Sequence, residues 1–129
     1  MEFQLKEGME YTAEKTVEFK DTAKAFGSGL VEVFATPAMV AFMEFTSHSG
    51  IAPMLPDGFS SVGIEIHTTH LKATPLGMKV NCHSKLTRVD GKKLYFKVSA
   101  YDEEGIIGDG IHVRYIIEVQ KFMDRLLKK

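Results

Sequence analysis

Three side chains in this sequence are of types that hydrolyse esters: Thr36, Glu44 and His70. A carboxylate in apolar surroundings has a raised pKa and can serve as a base, or attack a carbonyl itself. Glu44 has such surroundings, because Ala38-Met39-Val40-Ala41-Phe42-Met43 precede it and Phe45 follows. Ionised and unpaired there it is expensive, which favours a functional acid over a solvated one. A threonine hydroxyl beside a helix N-terminus stands where backbone N–H groups and the helix dipole favour a developing oxyanion. Thr36 takes that place, just before Pro37. Its simpler role is that of helix N-cap, and the two roles are compatible. Imidazole trades protons near neutral pH, so His70 is the natural acid–base partner for a thioester or ester. The bland alternative is a hydrogen-bonded structural histidine.

Gly63 interrupts a strand-like run, which means either a bulge or close backbone approach by a ligand. Arg114, in the last strand-like run, has two readings: a pair with an internal acid, or a contact to an anionic ligand. His67 and His70 are three apart on one strand and face opposite sides, so they are a poor metal pair. Gly105, Gly108 and Gly110 follow a turn and open no helix, so they read as a bulged hairpin rather than a phosphate loop. Thr36 and Glu44 lie roughly 12 Å apart along a regular helix, at the usual rise per residue. One small carbonyl cannot touch both from the same helix, so if both act, two subunits meet at the site.

The elements that position these residues follow from pattern. Thr36 as cap, Pro37 at the first helical position and Gly50 as terminator frame one helix, apolar on every face and so expected to be buried all round. Ahead of it, residues 1–9 read as an irregular lead-in and Glu10–Phe19 as a strand. Lys20–Gly29 reads as a mobile Gly-containing loop, and Leu30–Phe34 as a short strand entering the helix. Behind it, Pro53, Pro56 and Asp57-Gly58 force a connection. Then come strands over Ser60–Leu71 (Val62, Ile64 and Ile66 alternating with Gly63, Glu65 and His67), Met78–Val89, Lys92–Tyr101 and Ile106–Val119. Asp90-Gly91 forms a two-residue hairpin turn. Gln120–Lys129 suits a terminal helix. The order predicts an α+β chain, a curved antiparallel sheet wrapped round one long central helix. One helix cannot cover both faces and the edges of such a sheet. Ile106, Ile111, Val113 and Tyr115 or their neighbours are left exposed, so a dimer is expected.

At 129 residues, 1–129 reads as a single domain. A net charge of −1 with 26% charged residues gives no field that would favour nucleic acid or a membrane surface. The single cysteine, Cys82, excludes an internal disulfide and suits a reducing compartment. No apolar run reaches the roughly 20 residues that span a bilayer. The start, Met1 to Glu7, is acidic and lacks the apolar stretch of a signal peptide, so a cytoplasmic protein is expected.

Four stretches together, Ala35–Glu44 (ATPAMVAFME), Ser61–Gly63 (SVG), His70–Gly77 (HLKATPLG) and Gly110–Arg114 (GIHVR), resemble the fluoroacetyl-CoA thioesterase-like group of hot-dog proteins. The likeness runs from about Tyr11 to the terminal helix. It implies a hot-dog fold, a homodimer that can pair into a dimer of dimers, and hydrolysis of an acyl-CoA or similar thioester. Under it Thr36, Glu44 and His70 fall on the catalytic triad, Gly63 on the backbone group near the substrate carbonyl, and Arg114 on a charged substrate-binding position. Coenzyme A enters as part of the substrate, with no separate cofactor or metal, and acyl-CoA is the expected partner. The fluoroacetate-specific member carries aromatic lid residues in the loop before the helix. Here Ser28-Gly29-Leu30-Val31 occupy that region, with Phe26 and Phe34 at its margins. The fold also serves dehydratases and non-catalytic binders, so a module that binds an acyl-thioester or apolar ligand without cleaving it is the alternative.

Overall fold

The computed structural model describes residues 3–129. Of the expected lead-in over residues 1–9, Met1 and Glu2 lie outside that range, and the remainder is irregular until the first strand. Five strands form one antiparallel sheet: β1 (Glu10–Thr16), β2 (Phe59–His70), β3 (Lys79–Asp90), β4 (Lys93–Asp102) and β5 (Gly105–Glu118). Their spatial order is β1-β3-β4-β5-β2, which leaves β1 and β2 as the edges. Alternation in two of the three interior strands supplies much of the helix-facing side: Val80, Cys82, Ser84 and Leu86 from β3, and Leu94, Phe96, Val98 and Ala100 from β4, all buried. The β3–β4 ladder closes at Asp90↔Lys93, so Gly91 and Lys92 make the turn, with φ +63° at Gly91. The Asp-Gly signal therefore marks the right hairpin one residue early; a glycine in the first central position is what that turn demands.

The sheet wraps the long helix α2 (Thr36–Ile51). Its buried stripe is Ala38, Met39, Phe42, Met43, Thr46, Ser47 and Ile51. The two hydroxyls on that stripe bond back to Phe42 O (2.8 Å) and Met43 O (3.1 Å), and Ser47 also meets Ser84 at 2.7 Å. Burying them is thus neutral rather than costly. Three expectations about this helix are corrected. Ala35, not Thr36, is the N-cap, with extended φ −73° and ψ 145°. Gly50 does not end the helix, which runs on through Ile51 into a 3-10 turn at Ala52–Met54. Gly50 is there because any Cβ would overlap the Tyr11 ring of β1. Nor is α2 buried all round, since Ala41 and Phe45 are exposed, Phe45 at 57%, and Glu44 is half-buried between them.

Before α2, the expected loop over 20–29 contains a 3-10 turn (Phe19–Asp21) and a short helix α1 (Ala23–Phe26). Thr22 caps α1 by accepting from Ala25 N at 3.2 Å, and Gly27 closes it at φ +73°. Residues 30–34 form no strand; only isolated bridges, Thr22↔Phe34 and Val33↔Pro75, tie them down. A short helix α3 (Val119–Leu127) follows β5. On the sheet's outer face Ile106, Ile111 and Tyr115 are exposed as expected, while Val113 is buried. A bulge between Gly63 and Glu65 breaks the expected alternation of β2. Val62 and Ile66 consequently face opposite sides, and Gly63 joins Ile66 on the side of Arg114 and His112, opposite which they pair. Among the described residues no helix is long and apolar enough to cross a membrane.

Candidate active site

Because Ala35 caps the helix, the Thr36 hydroxyl is free for another partner. That partner is His70, at the last position of β2, with Thr36 Oγ1 and His70 Nδ1 2.8 Å apart. Phe34 N–H to Thr74 O (2.8 Å) and Ala35 N–H to Asp21 O (2.8 Å) fix the entry to the helix, and so the hydroxyl. His70 Nε2 is buried without a hydrogen-bond partner among the described residues. Burial holds the His70 pKa below its ordinary value; the Lys72 backbone offsets part of this without completing a hydrogen bond. The pair opens on a cavity of about 360 Å³ whose walls include Phe34, Pro37, Leu71 and Ser28. Pro37 has no N–H and Met39 N–H returns to Ala35 O (2.9 Å). The amides of Thr36 and Ala38 are therefore the first-turn donors left to face a ligand.

Glu44 lies two turns further along α2 and does not reach His70 of its own chain. Its Oε2 faces a small slot over Gly63. A Cβ built on Gly63 would sit 3.2 Å from His112 Cε1, 3.5 Å from Arg114 Nη1 and 3.8 Å from Glu44 Oε2. Both readings of Gly63 thus hold: it adjoins a bulge, and it keeps a space open. Arg114 is buried, 6% exposed, and bonds neutral acceptors only: Ser61 Oγ from Nε (2.8 Å), Ser61 O from Nη2 (2.9 Å) and His112 Nε2 from Nη1 (3.1 Å). The expected pairing of Arg114 with an internal acid is not made. Among the described residues no carboxylate comes within ion-pair distance of it. Burial lowers its pKa and the nearby Glu44 charge raises it.

Sequence reasoning missed His112, Ser61 and His48. The available signal was a pair of polar residues, His112 and Arg114, two apart on the inward face of a strand, where apolar side chains are the rule. His48 follows Glu44 by one helical turn; burial and the Arg114 charge lower its pKa. Cys82 is no nucleophile, because its thiol is buried and pushed up to about 11. His67 and His83 are on other business, meeting Glu65 (3.0 Å) and Glu10 (2.6 Å). Gly108 and Gly110 give close passage to Met39 and to the His67–Thr68 backbone rather than binding phosphate.

A five-stranded antiparallel sheet curled round one helix is the fold of the hot-dog thioesterases. The chain matches the fluoroacetyl-CoA-specific thioesterase family over residues 17–120 and belongs to it. It is 41% identical over 98 residues to the fluoroacetyl-CoA thioesterase of Streptantibioticus cattleyicolor, covering 76% of this chain and 70% of that one. A solved structure of the fluoroacetyl-CoA thioesterase FlK superposes with TM-score 0.91 at 34% identity, covering 97% of each chain. A Thermus thermophilus protein described as a thioesterase superfamily member does so at 0.86 and 29% identity, over 95% of this chain and 93% of its own.

Proposed function

We propose that this protein is a cytoplasmic homodimeric acyl-CoA thioesterase whose site combines Thr36 and His70 of one chain with Glu44 of a second copy. One observation carries this: Thr36 and His70 are hydrogen-bonded at the mouth of a cavity while the other ring nitrogen of His70 is buried and unanswered among the described residues. A buried polar atom without a partner is costly and rare, and a carboxylate or a substrate atom would satisfy it. The thioester carbonyl lies against the first turn of α2, where Thr36 and the free amides meet the developing oxyanion. Glu44 takes a proton from water as the water oxygen bonds to the carbonyl carbon, or its carboxylate attacks that carbon directly to give an acyl anhydride that water then hydrolyses. The C–S bond breaks, and the departing thiolate takes a proton relayed through His70: the proton released by the attacking water passes to the imidazole and from it to sulfur, which leaves the ring neutral again. Gly63 and Arg114 line the acyl end of the site. Coenzyme A is part of the substrate, and the reaction uses no further cofactor.

The second copy is favoured by what this chain leaves uncovered. β2 is a long edge strand with Ile64 51% exposed on its bulge, and a long unpaired edge is a template for another chain. Ala41 and Phe45 flank Glu44 on the open stripe of α2. The test is release of free thiol from a panel of short, long and aromatic acyl-CoAs. Turnover that disappears in both Glu44→Ala and His70→Ala, with the fold kept, supports the proposal. Tight acyl-CoA binding with no thiol released makes the protein a binder instead, and full activity in Glu44→Ala removes the mechanism.

A further inference from the structure

We propose that His112 is a positioning residue: its Nδ1–H tautomer locks the Arg114 guanidinium over Gly63, facing the space that Glu44 also faces. The proposal rests on the thioesterase reading and adds a residue to it. Geometry fixes the tautomer. His112 Nδ1 lies 2.9 Å from the Glu65 carbonyl oxygen, which can only accept, so Nδ1 carries the hydrogen. Nε2 lies 3.1 Å from Arg114 Nη1, which can only donate, so Nε2 carries the lone pair. The ring is therefore neutral. A proton on Nε2 would set two donors and two positive charges against each other inside the protein.

The guanidinium has five N–H groups. Ser61 and His112 take three, one on each nitrogen, which leaves one free on each terminal nitrogen. Nη1, the nitrogen that His112 holds, is also the one that borders the Gly63 slot. His112 is wholly buried, stacks on Phe96 of β4 with centroids 6.1 Å apart, and cannot swing away. The charged groups that act on it are Arg114 on its own strand and Glu44 from α2, while His48 of α2 feels the Arg114 charge. The Glu65 carboxylate of β2 turns outward to His67 at 3.0 Å. Burial and the Arg114 charge lower the His112 pKa, and the Glu65 carbonyl and Glu44 oppose them.

His112→Gln keeps a donor and an acceptor but cannot titrate. His112→Phe keeps a ring and removes both. Against thiol release, His112→Phe is expected to lose about tenfold to a hundredfold in kcat/KM, the worth of one hydrogen bond to a charged group. His112→Gln is expected to stay near wild type while the acid limb of its kcat/KM profile loses one proton. Because His112 acts through Arg114, adding His112→Phe to Arg114→Met should cost nothing further. Additive losses in that cycle, wild-type kcat/KM in His112→Phe, or an unchanged acid limb in His112→Gln would each overturn the proposal. Should His112→Phe fail to fold, ring-nitrogen NMR of the wild-type protein decides. An Nδ1–H tautomer at neutral pH supports the lock, and an Nε2–H tautomer or a charged ring ends it. That reading needs no turnover, so a wild type that releases no thiol would sink the hydrolase assignment and leave the lock to be judged by itself.

Discussion

Gly63→Ala separates packing from catalysis at one atom. Gly63 lacks a positive φ, so alanine fits its backbone without strain. The added methyl would stand 3.2 Å from His112 Cε1, 3.5 Å from Arg114 Nη1 and 3.8 Å from Glu44 Oε2. Only the first contact is tight, and it asks a buried ring to give by a few tenths of an ångström. Against that cost stands the gain from restricting the unfolded chain, about 0.4–1 kcal/mol. The two nearly cancel, and stability should change by less than about 1 kcal/mol. The slot itself is a different matter, because the methyl fills it. A reacting group displaced by about 1 Å costs roughly a hundredfold, or about 2.7 kcal/mol of transition-state stabilisation. The measurements are thiol release on the best acyl-CoA of a panel and thermal unfolding of the same preparations. Ile64→Ala, on the adjoining bulge but exposed, is the control for disturbing the strand. A folded Gly63→Ala protein with wild-type kcat/KM would show that nothing reacts over Gly63, and the placement of Glu44 and Arg114 at the acyl end would fall with it.

Thr36→Ala should leave stability within about 0.5 kcal/mol, since Thr36 makes no capping bond, yet slow thiol release by about tenfold or more, while Thr36→Ser keeps most activity; a large drop in melting temperature would restore the capping role. Mixing Glu44→Ala with His70→Ala and allowing subunits to exchange should recover roughly a quarter of wild-type activity, because half the dimers are mixed and each holds one intact site; no recovery after proven exchange would place both residues of a site on one chain. His48, His70 and His112 all have pKa values below the ordinary 6.5, so the unfolded chain binds more protons than the folded one as pH falls below about 6.5. Stability should therefore decline from about that pH downward and level off once the folded-state values are passed, with His112→Gln flattening the curve; a melting temperature that does not change over this window would contradict the neutral, buried rings. At lower pH Asp21 adds a second loss. Its burial alone would raise its pKa, but Lys15 and the Glu18 amide hold it below the usual 3.8.

The fold was legible because its signals are local. Thr36-Pro37 marks a helix start to within one residue, period-two alternation marks the central strands, and Asp90-Gly91 marks a hairpin. Departures arise where a distant partner decides. Thr36 is drawn away from capping by His70, thirty-four residues on. Gly50 stays helical because Tyr11 needs the room. Val62, Ile64 and Ile66 alternate flawlessly in the sequence, yet the bulge reverses the face midway, and only Gly63, which reads as a bulge or a close approach, announces it. Glu44 stood out as a lone acid among apolar neighbours. His112 and Ser61 did not, because what matters about them is which way a guanidinium points, and that is a property of three strand segments in register.

The two halves of the site are each incomplete in a complementary way. At the helix N-terminus an imidazole nitrogen is buried with nothing to bond among the described residues. At the Gly63 slot a carboxylate faces a guanidinium without pairing to it. Within one chain they cannot be joined, because Gly63 and His70 are separated along β2 by roughly 20 Å at the usual rise per residue. A twofold axis changes this. If β2 pairs antiparallel with its own copy about a point between Ile66 and His67, residue 63 of each chain falls beside residue 70 of the other. Such an interface is self-complementary, so one contact completes both sites at once and closes the exposed edge. A head-to-tail contact would complete one site, leave another open and continue without closing. In such a dimer the same unpaired strand that would be a liability in a monomer would be the element that brings acid, hydroxyl and imidazole within reach of a single thioester.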